Sequence, residues 1–205
     1  YLEVARDITI AAITWEADDD SAARAAGSFV DDGFEVGDRL TTGSPGNPGP
    51  FTIATVTALK LTFVEAVVDE VSGSETFHHF VKVGESVTLN SPTRDRAEID
   101  VTHLTSVAKE YRMGLRDEGT ITGDLNFLTG DLGQSILRTM LGESLVPRDV
   151  ALTVPPAEGV DGYRWSFQAF MMSLGAQMQT DDKITQSFTM RITGAVTEAV
   201  VEAGA

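Results

Sequence analysis

The chain has 205 residues, with 31 acidic and 15 basic side chains and a net charge of −16 at neutral pH. Because neutralising phosphates requires Lys and Arg, this balance argues against a protein that grips nucleic acid. The chain has no Cys, which excludes disulfides, thiolate zinc sites and a cysteine nucleophile, and no apolar run approaches the roughly 18 residues that span a membrane.

The first third of the chain is the more acidic part, with 14 acids and 4 bases in residues 1–75. Short runs of β-branched and aromatic residues predict strands there, separated by loops rich in Gly and Pro. The predicted strands are Ile8–Trp15, Arg39–Thr42, Phe51–Val56 and Leu59–Val64. Residues 1–75 are therefore predicted to form a small β module of four or five strands.

A polar segment containing Gly, Val71–Glu75, is typical of a linker. It predicts a domain boundary near 72–76, which divides the chain into residues 1–75 and 76–205.

The second part is longer and its strands are more regular. Strands are predicted at Phe80–Leu89, Ala97–Thr102, Gly119–Leu128, Tyr163–Phe170 and Lys183–Thr197. Two of them alternate clearly, since apolar side chains such as Leu125 and Phe188 occupy one face and polar side chains the other. In the strand at 163–170, Tyr163, Trp165 and Phe167 share a face, which predicts that Trp165 belongs to the core.

One helix is predicted near 132–141. Asp131 is a suitable N-cap and Gln134 follows at the spacing of a capping box. An apolar stripe then ends at Gly142, a predicted C-cap. The composition and these elements together predict a mainly β protein: two packed β-sheets, as a sandwich or rolled sheet, with one flanking α-helix and a small N-terminal β module.

The sequence offers little catalytic chemistry. His78 and His79 are adjacent, so on a strand they point to opposite faces, and His103 is isolated. The acidic runs at 18–20, 31–32 and 181–182 lack the alternating spacing of a calcium loop. No nucleophile elbow, phosphate-binding loop or dinucleotide motif is present. We therefore expect no enzyme activity, no metal and no cofactor.

One stretch is more distinctive than composition. It contains the strand Ile99-Asp100-Val101-Thr102, then Gly114-Leu115-Arg116-Asp117-Glu118-Gly119, then a strand that ends at Asn126-Phe127. The predicted helix follows, and Thr193-Gly194 closes the last predicted strand. This order and spacing, over about residues 80–197, resembles the tail tube (major tail) proteins of long-tailed bacteriophages.

The resemblance implies a structural virion protein without catalysis, located in the tail and assembled in the host cytoplasm. Six copies would form a ring whose inner strands join into one continuous barrel, and rings would stack into the hollow tube through which DNA passes without specific binding. The implied partners are further copies and the other tail proteins (terminator, tip or initiator, and tape measure), with no membrane contact. Residues 1–75 lie outside the resemblance and are expected to decorate the exterior.

The resemblance also implies two sets of site residues. The loop between the first two motif strands would reach the neighbouring ring, and its candidate contacts are Thr105, Ser106, Lys109, Glu110 and Arg112. The polar faces of two strands would line the lumen, and the candidates there are Asp124, Asn126, Thr185, Ser187, Thr189 and Arg191.

Two alternatives remain open from the sequence. The first is a tail terminator or another related tube, such as a secretion-system tube. The second is a β-rich carbohydrate- or cell-binding module that uses Trp15 or Trp165 as a stacking platform. A metal-dependent hydrolase is disfavoured, because it would need clustered acids and histidines that the spacing does not offer.

Overall fold

The computed structural model describes residues 1–143, 146–158, 160–178 and 183–202. These residues form thirteen antiparallel strands and one short helix, so the predicted mainly β class is confirmed. The chain divides into two compact units. The N-terminal unit comprises Leu2–Gly84 and Thr129–Ile136, and the C-terminal unit comprises Tyr1, Glu85–Leu128 and Leu137–Ala205.

The N-terminal unit contains six strands. They are β1 (Leu2–Glu16), β2 (Ser21–Arg24), β3 (Arg39–Thr42), β4 (Phe51–Val56), β5 (Lys60–Phe63) and β6 (Glu70–Lys82). Their order is β2-β5-β4-β3-β6-β1, and β1 also pairs with β2, so the sheet closes on itself. Closure removes the open strand edges that could pair with other chains.

The closed sheet surrounds an aromatic core. Trp15 is 1% exposed, and its ring centroid lies 5.5 Å from Phe51, 5.6 Å from Phe63 and 6.0 Å from Phe77. Trp15 can reach this core because the alternation of buried and exposed side chains shifts by one residue within β1. Ala12 has a φ of +55° and interrupts the pairing with β6, so the buried side chains change from even to odd positions. Trp15 consequently points inward with Ile10 and Ile13.

Two sequence predictions near the end of this unit are wrong. The predicted linker Val71–Glu75 lies within β6, because its backbone pairs with β1, for example Ser72 with Ile13. The single predicted strand Phe80–Leu89 is two strands, β6 and β7, separated by a turn in which Glu85 has a φ of +55°. The compact units divide between Gly84 and Glu85, within that turn.

The remaining elements complete the second part of the chain. They are β7 (Ser86–Leu89), β8 (Asp95–Asp100), β9 (Tyr111–Asp117), β10 (Thr120–Asn126), α1 (Leu132–Gly142), β11 (Arg148–Val154), β12 (Gly162–Gln177) and β13 (Thr185–Val201). In the C-terminal unit, five strands follow the order β11-β12-β13-β10-β7, while β8 and β9 form a separate two-stranded sheet.

The helix occurs where the sequence predicts it. The Asp131 carboxylate accepts a hydrogen bond from the Gln134 N–H at 2.7 Å, which is the predicted N-cap. Ile136, Leu137 and Met140 are buried on the apolar face. The helix ends at Gly142.

The predicted faces of β12 are partly wrong. Tyr163 and Trp165 are only half-buried, whereas Arg164 between them is buried. The cause is a bulge, because the pairing with β13 steps from Ser166–Thr197 to Gln168–Thr193. The extra residues on β13 change which side chains face inward. Phe167 lies at the step and is buried, as predicted.

Candidate assembly surfaces

The β8–β9 hairpin is an exposed arm of the C-terminal unit. We define the arm as residues 94–118. Its strands pair with each other and with no other strand among the described residues. Every residue of β8 is exposed, and so is every residue of β9 except Gly114. Isolated two-stranded hairpins are marginally stable in water, so the arm has the character of an element that another surface covers.

The arm presents large apolar side chains to solvent. Leu104 and Val107 in the loop are fully exposed, and Leu115 is 95% exposed. Ile99, Tyr111 and Met113 are each about half exposed or more. An exposed apolar surface that is surrounded by polar residues is typical of a protein–protein contact.

The predicted inter-ring residues all lie on this arm. Thr105, Ser106, Lys109 and Glu110 are in the loop between β8 and β9, and Arg112 is the second residue of β9. Local hydrogen bonds shape the loop. The Val101 N–H donates to the Glu110 carbonyl at 2.9 Å, and the Ser106 N–H donates to the His103 carbonyl at 2.9 Å. Lys109 and Arg112 form no ion pair within the described part of the chain.

The base of the arm is held by a charged network. The buried Glu118 carboxylate pairs with Arg116 and, at 3.1 Å, with Arg94. Arg94 also pairs with Glu198 of β13, which accepts a hydrogen bond from the Tyr163 hydroxyl. The hydrogen bond from Tyr163, followed by that from Arg94, lowers the pKa of Glu198, and the same carboxylate raises the pKa of Tyr163.

A second link joins the arm to β13. The Asp117 carboxylate accepts hydrogen bonds from the Gly119 N–H at 2.8 Å and from Arg191 at 2.5 Å. These two contacts, the backbone one first, lower the pKa of Asp117. The network at the arm base therefore combines residues far apart in the sequence, which local patterns did not reveal.

The predicted lumen residues share one polar face. On β10 and β13 the pairs are Asn126 with Thr185, Asp124 with Ser187 and Thr122 with Thr189, and Thr120 faces Arg191. The Ser187 hydroxyl donates to the Asp124 carboxylate at 2.8 Å, and the Asn126 amide donates to Glu85 at 3.0 Å. The opposite face buries Ile121, Leu125, Phe188 and Met190. The predicted alternation of both strands is therefore confirmed.

This polar face is rich in hydroxyl and amide groups and has few charges. Its one arginine, Arg191, is paired with Asp117, and Asp124 is hydrogen-bonded to Ser187. Such a surface offers a passing polyanion neither a line of cations nor exposed aromatic rings for stacking.

The N-terminal unit contains a buried histidine whose ring nitrogens contact other side chains of the same unit. His79 is fully buried, and its Nε2 lies 2.7 Å from the Asp38 carboxylate. Its Nδ1 accepts from the Arg6 guanidinium at 3.3 Å, and its ring stacks on Phe34 at 4.3 Å. Both ring nitrogens are thereby satisfied. Burial lowers the pKa of Arg6.

The acidic runs carry no assembled metal site in the described ranges, where no group of three His, Asp or Glu side chains converges. Asp19 instead pairs with Lys60 at 2.6 Å, and Asp20 accepts from the Val67 N–H at 3.2 Å. The third acidic run, Asp181 and Asp182, lies outside the described residues.

The stacking-platform alternative fails at one of its two tryptophans, because Trp15 is enclosed by three Phe rings. Trp165 is half-buried and meets Tyr163 edge to face at 4.7 Å. No helix in the described ranges is long and apolar enough to span a membrane.

The chain matches no protein-family model and no curated protein.

Proposed function

We propose that the protein is a structural subunit of a phage tail tube, which assembles into hexameric rings that stack into a hollow tube. The observation that carries this proposal is the exposed arm. Residues 94–118 present six large apolar side chains to water without forming a core of their own. In the tube, a subunit of the neighbouring ring covers them.

The polar face of β10 and β13 supports the same proposal. A conduit for DNA should offer few phosphate contacts, because each contact would retard passage. Hydroxyl and amide groups dominate this face, and its arginine is already paired. Six copies of a subunit with a net charge of −16 would add repulsion to the walls of the bore.

Residues of the N-terminal unit are proposed to decorate the exterior of the tube. Each of its six strands has two neighbours in the sheet, so none is an edge strand that invites pairing with other copies. Its acidic composition also suits a solvated surface.

The test compares two triple variants by electron microscopy and light scattering. In the first, Leu104, Val107 and Leu115 are replaced by Ser. We expect wild-type protein to form tubes with six-fold symmetry and this variant to stop at single rings or smaller species, because the contact between rings loses its apolar side chains. Amide exchange of β12 and β13 should be unchanged, since the three side chains are at least 95% exposed.

The matched control replaces Val36, Val64 and Val71 by Ser. These residues of the N-terminal unit are 64–80% exposed, and we expect normal assembly. A wild-type protein that stays monomeric at every concentration, even with a tail initiator complex added, would contradict the tube. Single rings that never stack would favour the tail terminator.

A further inference from the structure

The two strands of the arm place like charges directly opposite each other at its base. Arg96 of β8 faces Arg116 of β9, and the neighbouring pair is Asp95 with Asp117. Cross-strand like charges destabilise a hairpin. Three of these four side chains have a compensating contact: Arg116 with Glu118, Asp117 with Arg191, and Asp95 with the Arg96 N–H at 2.7 Å.

The Arg96 guanidinium is the exception. It forms no ion pair with any carboxylate of the described residues. It lines an open groove of about 490 Å³ on one face of the arm, together with Arg94, Asp95, Glu98, Met113 and Arg116. Asp95 and Glu98 line the same groove without pairing with Arg96.

The charge distribution indicates what would fill the groove. The arm contains five of the 15 basic residues and has a net charge of −1, whereas the other 180 residues have a net charge of −15. A second copy therefore presents a strongly acidic surface to the arm. A carboxylate placed beside Arg96 would relieve its repulsion with Arg116, and Met113, 60% exposed, would contribute apolar contact.

We infer that the Arg96 groove of the arm binds an acidic segment of a second copy, with a carboxylate of that copy paired to the Arg96 guanidinium. The inference depends on the proposed function, because it requires self-assembly. It identifies the face of the arm that makes the contact and the chemistry that the other copy supplies.

The test is Arg96→Glu, with Arg39→Glu in the N-terminal unit as the control of equal charge change. The new glutamate would face Arg116, so amide exchange in the arm of the monomer should slow. The concentration needed for assembly should nevertheless rise at least about tenfold, because the groove would repel its acidic partner. Arg39→Glu should assemble like wild type.

Three outcomes would overturn the inference: assembly of Arg96→Glu at the wild-type concentration, an equal effect of Arg39→Glu, or faster exchange in the arm of Arg96→Glu. The first leaves the tube proposal intact, since the wild type still assembles. A wild type that does not assemble contradicts the tube proposal itself, and the inference with it.

Discussion

Single residues set the geometry at the base of the arm, and Gly119 is the clearest example. It connects β9 to β10 with a φ of +74°, a conformation that side chains disfavour. A Cβ atom there would lie 1.9 Å from the Thr93 carbonyl oxygen. The backbone passes close to Thr93 at this point, and the Gly119 N–H donates to the Asp117 carboxylate at 2.8 Å.

We predict that Gly119→Ala lowers the free energy of unfolding by about 2–4 kcal/mol, from backbone strain and the clash with Thr93. Urea denaturation of the variant and the wild type measures this difference in the free energy of unfolding. Gly130→Ala is the control, because its Cβ would meet nothing within 4 Å, and it should be nearly neutral. Equal losses of stability in the two variants would show that the close approach to Thr93 does not cause the loss.

The aromatic core of the N-terminal unit depends on Trp15. Removing this 1% exposed side chain leaves Phe51, Phe63 and Phe77 around a cavity. We predict that Trp15→Ala costs about 3–5 kcal/mol in thermal or urea unfolding. Val71→Ala, at an 80% exposed position, should stay within about 0.5 kcal/mol of wild type. A loss below about 1 kcal/mol for Trp15→Ala would mean that the core repacks.

At the scale of elements, the arm is attached by carboxylates whose protonation should release it. The pKa values of Asp117 and Glu198 are lowered in the folded protein by the hydrogen bonds described above. Groups of this kind stabilise the fold above their ordinary pKa of about 4, and the contribution is lost as the pH falls through the lowered pKa. Arg191 would then lose its pair with Asp117, and Arg94 would lose its pair with Glu198.

We therefore predict that acid loosens the arm base. Amide exchange of residues 93–119, corrected for its intrinsic pH dependence, should show weaker protection at about pH 3 than at about pH 6. Asp117→Asn cannot lose this charge, so its pH difference should be smaller. Protection that is the same at both pH values in the wild type would refute the carboxylate attachment.

At the scale of the whole molecule, net charge dominates the expected behaviour toward DNA. Non-specific DNA-binding proteins reach Kd values of about 10⁻⁴ to 10⁻⁶ M through counterion release. A subunit with a net charge of −16 instead repels the DNA backbone overall. We predict no binding of duplex DNA in this range, even at low salt, by fluorescence anisotropy. Replacing Asp124 and Glu85 by Lys should introduce measurable, salt-sensitive binding in assembled protein if the polar face lines the lumen.

Local patterns were sufficient to predict several elements. Arg39–Thr42 and Phe51–Val56 were predicted as strands and are β3 and β4 with the same bounds, and α1 begins one residue after its predicted cap. The alternation of β10 and β13 also placed their polar faces correctly. These predictions succeeded because alternation, capping and turn residues act over a few positions.

What the sequence determined by itself was the mainly β class, the single capped helix and the acidic balance, since composition and short-range periodicity set all three. Only the tertiary structure decided the closure of the N-terminal sheet, in which residues 13–15 of β1 pair with β6 on one side and with β2 on the other. It also decided the inward position of Arg164 and the joining of Glu198 to Arg94, 104 residues away. Such features follow from bulges and from pairing between distant strands. The free energies of both depend on the whole fold, so no short stretch of sequence reveals them.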